Sequence, residues 1–127
     1  MSIDSESNLD RKFIQTVSLL NLYLNHFPNH EKHGLALKIR TTAYEMYDYI
    51  IEGQKRYYKK TTLVNLDIKH EQLRMLVRLA FELAYFGHPE TEKIPANKLN
   101  MKRYLVMSAK IDELGKIIGG WIKSTKA

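Results

Sequence analysis

The chain has 127 residues, 44% of them hydrophobic and 27% charged, which is typical of a single folded domain. It contains no cysteine, and this excludes a disulfide framework, a thiolate zinc site and a cysteine nucleophile. Its formal net charge of +6 favours either a polyanionic partner or a solvated basic surface.

Four segments have the periodicity of amphipathic helices, and no segment alternates like a strand. The first is expected to end at Pro28, because a proline disfavours the helical conformation in the residue before it. Its apolar stripe is formed by Phe13, Val17, Leu20, Leu24 and Phe27. The second segment has Asn29 as its expected N-cap. Its stripe is formed by Leu35, Ile39, Ala43, Met46, Ile50 and Gly53.

The third segment follows Thr62, with Asn65 or Asp67 as its expected N-cap, and is expected to stop at Gly87. Its stripe is formed by Leu66, Leu73, Val77, Ala80 and Ala84, widened by Leu76 and Leu83. The fourth segment begins near residues 95–97 and keeps a seven-residue repeat. That repeat is formed by Tyr104, Met107, Ile111, Leu114, Ile118 and Trp121.

The linkers between these segments are short, so neighbouring helices are expected to run antiparallel. We therefore predict an all-α fold, an antiparallel up-down-up-down four-helix bundle. Residues 9–127 are expected to form this single domain and residues 1–8 a flexible N-terminal tail. No apolar run approaches the roughly 18 residues of a membrane span. The acidic, polar start is unlike a signal or transit peptide, so we expect a cytoplasmic protein without membrane contact.

Large side chains outside the main stripes of the second and third segments exceed what one core requires. They are Tyr44, Tyr47, Tyr49, Ile51, Phe81, Tyr85 and Phe86. Aromatic patches of this kind mark contacts between proteins, so we predict self-association. The alternative is a thick core with tyrosine hydroxyls at its rim.

The residues needed for catalysis are missing. A di-iron bundle requires two Glu-x-x-His motifs, whereas this chain has only one related pair, Asp67 and His70. It also has no glycine-rich phosphate loop and no supported Ser/His/Asp arrangement. We therefore predict a protein that is not an enzyme and that uses no cofactor or metal. His26, His30 and His33 leave a metal site as an alternative, although exposed loop histidines are the simpler interpretation.

The positive charge is concentrated in two blocks. The net charge is −2 over residues 1–54, +5 over 55–78, −3 over 79–92 and +6 over 93–127. In the first block, cations surround Tyr57 and Tyr58, and these cations are Lys55, Arg56, Lys59 and Lys60. Lysine and arginine neutralise phosphates, and tyrosines stack on unpaired bases. This pattern is typical of nucleic-acid binding. The alternative is a solvated charged face, with Tyr57 and Tyr58 closing the end of the core.

Further cations lie on the third and fourth segments. His70, Arg74 and Arg78 follow at intervals of four and are expected to form one basic row. Arg74 and Arg78 have no acidic residue four positions away other than Glu82, so they have few local partners. The fourth segment adds Lys98, Lys102, Arg103, Lys110, Lys116 and Lys123. We predict nucleic-acid or partner contacts at these basic positions, above all at Arg74 and Arg78.

Several motifs resemble a known family. The run Phe27–Leu35, together with Ile39-Arg40 and Ile51-Glu52-Gly53, resembles the signature of small four-helix-bundle proteins related to intervening sequences of bacterial 23S ribosomal RNA genes. The run Leu114–Ile122 resembles a narrower branch, the accessory variability determinant (Avd) proteins of diversity-generating retroelements. The arginines Arg74 and Arg78 on the third segment also resemble that branch. The resemblance extends from about residue 9 over almost the whole chain.

The resemblance implies a homopentameric barrel of four-helix bundles with a positively charged surface. It further implies binding to the retroelement's reverse transcriptase and to its template-repeat RNA, or to DNA or an RNA/DNA hybrid. Such a protein supports adenine-mutagenic cDNA synthesis without doing chemistry itself. The resemblance implies that a basic surface is needed for function, and among the basic residues it implies this only for Arg74 and Arg78. The alternative function is an oligomeric interaction protein of the 23S-intervening-sequence type without a nucleic-acid role.

Overall fold

The computed structural model describes residues 3–88 and 93–125, and of residues 3–7 it describes the backbone only. Across these ranges the chain forms four α-helices and no strand, which confirms the all-α class. The helices are α1 (Ile3–Leu24), α2 (Leu35–Lys55), α3 (Lys60–Glu82) and α4 (Ala96–Ser124). Short 3₁₀ turns cover Asn29–Glu31 and Tyr85–Gly87. Consecutive helices pack on one another and α4 also packs on α1, as in a four-helix bundle.

One apolar stripe from each helix builds the core, because residues three and four positions apart share a helix face. Most of the predicted positions are buried, including Phe13 in α1, Met46 in α2, Leu73 in α3 and Trp121 in α4. Val17 and Tyr104 are only partly buried and lie at the edge of the core. Each fully buried aliphatic or aromatic side chain contributes about 1.5–3 kcal/mol relative to an exposed one. The hydrophobic spacing therefore predicts the packing face of each helix correctly.

The expected starts of α2 and α3 are wrong. Asn29 begins a 3₁₀ turn, and α2 begins only at Leu35, whose N–H donates to Glu31 Oε2 at 2.9 Å. Helix α3 begins at Lys60, well before the predicted caps at positions 65 and 67. The reason is tertiary, since Thr62 Oγ1 donates to Glu52 Oε2 of α2 at 2.6 Å and fixes the first turn of α3.

The end of α3 also differs from the expectation. The helix ends at Glu82, and Ala84 adopts a left-handed conformation with φ of 62°. Ala84 and Leu83 are therefore exposed and leave the predicted stripe. The turn redirects the chain so that Phe86 enters the core, where its N–H donates to Asn100 Oδ1 at 3.0 Å.

The N-terminal boundary is drawn differently by the sequence and by the structure. Helix α1 begins at Ile3, so it includes residues 3–8 of the predicted flexible tail, while residues 1–2 lie outside the described residues. The flexibility of residues 1–8 stays a prediction.

Candidate nucleic-acid interface

The loop between α2 and α3 carries the first predicted cluster. Tyr57 and Tyr58 are 88% and 82% exposed, the highest exposures among the large apolar and aromatic side chains of the described ranges. Their ring centroids are 4.9 Å apart with an interplanar angle of 87°, so the edge of one ring faces the plane of the other. The structure thus brings two accessible aromatic rings together at one end of the bundle, and the alternative that they close the end of the core is wrong.

Hydrogen bonds on both sides fix this loop. The Arg56 backbone N–H donates to Glu52 O at 2.9 Å and caps the end of α2. The Lys59 ammonium donates to Gly53 O, and Arg56 Nη1 lies 3.5 Å from Thr62 Oγ1 on α3. These bonds therefore fix the loop at the end of two packed helices.

The charge around the loop is strongly positive. Lys55 and Lys60 are exposed, and within the described part of the chain neither forms an ion pair. Arg56 Nη1 lies 3.9 Å from Glu52 Oε1, a long contact between exposed groups. Such surface pairs contribute at most about 1 kcal/mol and are readily exchanged. Among the described residues, the four cations of this cluster thus have one carboxylate contact between them, that of Arg56 with Glu52.

The two arginines of α3 are exposed, as expected, but they have carboxylate partners. Arg74 donates to both carboxylate oxygens of Glu71, with its Nε at 3.1 Å from Oε2. Arg78 Nε donates to Glu82 Oε1 at 2.7 Å. These hydrogen bonds raise the pKa of both guanidinium groups and lower the pKa of the Glu71 carboxyl.

The expectation that Arg74 has few local partners is therefore wrong. No carboxylate lies four positions from Arg74, but Glu71 lies three residues before it. Residues three apart are also neighbours on a helix surface, and this signal was available in the sequence. Both pairs remain exposed, so a phosphate group can compete for the arginines.

The structure corrects the position of His70. Its side chain is only 9% exposed, and its Nε2 lies 2.8 Å from Ile111 O of α4. A step of four residues rotates by about 40° around a helix of 3.6 residues per turn. His70, Arg74 and Arg78 therefore form no single exposed row: the arginines reach solvent, while His70 faces α4.

The predicted cations of α4 differ in their surroundings. Lys102 is exposed, and Lys110 is partly buried. Arg103 is also partly buried, donates to His88 O at 2.7 Å and lies 5.1 Å from the centre of the Tyr23 ring. A cation above an aromatic ring is attracted by its quadrupole, so Arg103 helps to hold α4 against α1.

Exposed apolar residues form one face on α1 and α2 and another on α3, and α4 also exposes Met101, Leu105 and Val106. A groove of about 250 Å³ between α1 and α2 is lined by Phe13, Ile14, Val17, Ser18, Asn21, Tyr44 and Tyr47. The exposed residues Leu37, Tyr44 and Ile51 continue this groove face along α2. The second face is on α3 and consists of Val64, Ile68, Met75 and Leu79.

The off-stripe aromatics divide between core and surface. Phe86 is fully buried and belongs to the core, while Tyr47 stacks on Phe13 with centroids 5.2 Å apart. Phe81 stacks on Tyr104 at 4.2 Å. Tyr44 and Ile51 remain about half exposed. The thick-core alternative holds for Phe86, and self-association stays a prediction.

Residues 3–88 and 93–125 also bear on metal binding and on membrane insertion. Within them, no group of three or more histidines or carboxylates is placed to bind a metal. His30 lies instead against Tyr85, with ring centroids 6.0 Å apart. Nor does a helix in these ranges combine the length and low polarity needed to cross a bilayer.

Comparison with known proteins gives one match. Residues 8–125 match the model of a protein family described as bAvd-like. This match confirms the resemblance to Avd proteins and supports an accessory protein of the retroelement type. No curated protein matches the chain. No solved structure matches it either.

Proposed function

This chain belongs to the bAvd-like family, and on that premise we propose that it is a non-enzymatic accessory subunit of a diversity-generating retroelement. In this function it binds the element's reverse transcriptase and its template-repeat RNA through basic surfaces and supports mutagenic cDNA synthesis in the cytoplasm. The family match over residues 8–125 carries the proposal.

The charge distribution supports an RNA partner. The loop cluster combines Lys55, Arg56, Lys59 and Lys60 at one end of the bundle, and Arg74 and Arg78 add cations along α3. Lysine and arginine release counterions when they neutralise phosphates, which gives affinity independent of sequence. The loop cluster has fewer carboxylate partners than the arginines of α3, so we assign it a larger share of RNA binding than the sequence alone favoured.

We also propose a homopentamer. Two different apolar faces, the α1–α2 groove and the outer face of α3, support this assembly. A contact between two unlike surfaces is heterologous, and repeated heterologous contacts form a ring when the rotation between neighbouring subunits closes. Light scattering should therefore give several times the chain mass of 14.9 kDa. A particle of the single-chain mass would contradict the pentamer.

Co-purification tests the function directly. The chain should be retained by a tagged reverse transcriptase of its own retroelement and should also retain the template-repeat RNA. RNA retention should weaken steeply between 50 and 200 mM salt, by roughly 10³-fold if about six phosphates are contacted. Retention of neither partner at low salt would refute the proposal. Self-association without either partner would instead favour the interaction-protein alternative.

A further inference from the structure

We propose that Tyr57 and Tyr58 form a stacking platform for unpaired bases of single-stranded nucleic acid, and that the cations beside them hold its phosphates. This inference rests on the proposed RNA-binding function. It adds two details to that function: the nucleic acid is single-stranded, and Tyr57 and Tyr58 are the side chains that select it.

The exposure of the two rings is the first observation. Other tyrosines of the chain, such as Tyr23, Tyr47 and Tyr104, pack against the core. Tyr57 and Tyr58 keep more than four fifths of their surface exposed, so their burial contributes little to the stability of the chain. Exposed apolar surface that is surrounded by charged residues marks an interaction site.

The ring geometry leaves room for bases. Because the edge of one ring faces the plane of the other at 87°, the pair covers one ring face and leaves the other faces open. Bases stack on aromatic rings whatever their sequence, since every base has a π face. In a duplex the bases are already stacked and paired, so this platform selects single strands.

The surrounding charges fit the backbone of such a strand. Lys55 and Lys60 lie on either side of the tyrosines in sequence, and both are exposed. The start of α3, at Lys60, has no side-chain cap, so its first N–H groups add positive potential at the same end of the bundle. Hydrogen bonds already fix the loop, so little ordering is required when a strand binds.

The test compares single-stranded with duplex RNA. Fluorescence anisotropy is measured with a labelled oligouridylate of about 12 nucleotides, within the span of known single-strand sites, and with a blunt RNA duplex of equal length. The double variant Y57A/Y58A should bind the single strand at least about fivefold more weakly and the duplex equally well. Y57F/Y58F should bind both as the native chain does, because phenylalanine keeps the ring.

A matched control removes exposed apolar surface elsewhere. Leu105→Ala, on the outer side of α4, should leave single-strand binding unchanged. Circular dichroism should show the same helix content and melting temperature for every variant, since all altered side chains are exposed.

The outcomes separate this inference from the proposed function. If the native chain binds RNA but Y57A/Y58A loses no affinity for the single strand, the platform is refuted and the proposed function stands. An equal loss for single strand and duplex also refutes base stacking. If Y57A/Y58A loses only its retention by the reverse transcriptase, the tyrosines contact protein. No RNA binding by the native chain refutes the RNA part of the proposed function itself.

Discussion

The imidazole of His70 lies so close to Gly115 that a methyl group at Gly115 would be 2.7 Å from His70 Cε1. This contact joins α3 and α4 at the level where His70 Nε2 meets Ile111 O. A glycine inside α4 lowers helix propensity by about 1 kcal/mol relative to alanine, and here it makes space for a buried ring.

Gly115→Ala should therefore destabilise the native chain by about 1–2 kcal/mol, because overpacking outweighs the gain in propensity. In a His70→Ala background the same change should stabilise by up to about 1 kcal/mol, because the ring is gone. The measurement is urea unfolding of the native chain, the two single variants and the double variant at one protein concentration. Equal effects of Gly115→Ala in both backgrounds would contradict the contact.

Gly53 has the same relation to Trp121, since a methyl group at Gly53 would lie 2.7 Å from Trp121 Cη2. Gly53→Ala should lower the free energy of unfolding by about 1–3 kcal/mol. Gly119→Ala is the matched control, because nothing lies within 4 Å of its added methyl group. That control should raise stability by about 0.5–1 kcal/mol. The sign difference between the two variants is the result that thermal unfolding must show.

Asn100 should be the most sensitive polar residue of the core. Its Nδ2 donates to Phe81 O and its Oδ1 accepts from the Phe86 N–H, both at 3.0 Å. Asn100→Ala leaves these backbone groups without their partner, at about 1–3 kcal/mol for each buried group. We expect a loss of at least about 2 kcal/mol, measured by chemical denaturation. Asn100→Asp should not restore it, because an ionised carboxylate cannot donate to Phe81 O.

Much of this fold follows from periodicity alone, and its exceptions have tertiary causes. The seven-residue repeat from Met107 to Trp121 is a local pattern, and it predicts the buried face of α4 correctly. The start of α3 depends on Glu52, a residue of the preceding helix. The left-handed turn at Ala84 uses an alanine instead of a glycine, so the sequence does not indicate where this turn occurs. Contacts between residues that are distant in sequence determine these helix boundaries. The spacing of hydrophobic residues does not predict such contacts.

Acid should weaken the start of α2 through Glu31. The Leu35 N–H and the Tyr85 hydroxyl donate to its carboxylate and lower its pKa below the ordinary 4.5. A lowered pKa in the folded state stabilises the fold above the unfolded pKa, and this stabilisation is lost as the pH falls through the folded pKa.

Unfolding of the native chain and of Glu31→Gln should therefore differ by a constant free energy above about pH 5.5, and the difference should shrink below about pH 4.5. Tyr85→Phe removes one donor and keeps the ring against Phe27, so it should reduce the pH-dependent part without abolishing it. A difference that does not vary with pH would refute this function of the carboxylate.

Reversing the charge of Arg74 and Arg78 should weaken RNA retention. Arg74→Glu with Arg78→Glu is expected to cost roughly tenfold or more at low salt, and to reduce the salt slope by about one per lost phosphate contact. Arg11→Glu with Lys38→Glu changes the net charge equally at exposed positions outside the basic clusters, and should cost less.

The ion pairs of these arginines allow a change in the opposite direction. Glu71→Gln with Glu82→Gln releases both guanidinium groups from their carboxylates and should strengthen RNA retention. If both double variants leave retention unchanged, the arginines of α3 take no part in RNA binding. The loop cluster alone would then carry the proposed function.

The candidate site is less predictable from sequence than the core. The charge of Lys55–Lys60 is read directly from the sequence, whereas the exposure of Tyr57 and Tyr58 is not, because two tyrosines beside a helix end can also close the core. The burial of His70 does not follow from its spacing to Arg74. The spacing of charged residues does not show which side of a helix faces its neighbours. The partners of a surface side chain depend on the geometry of the fold, and only the structure shows that geometry.

The fluorescence of Trp121 can be used to follow the unfolding of the bundle. It is the only tryptophan of the chain, it is almost fully buried, and it packs on Gly53 a few residues before the loop of Tyr57 and Tyr58. Its fluorescence therefore reports on one end of the molecule without any label. A red shift of its emission on partial unfolding would show that this end opens first, while a constant spectrum would show that it opens last.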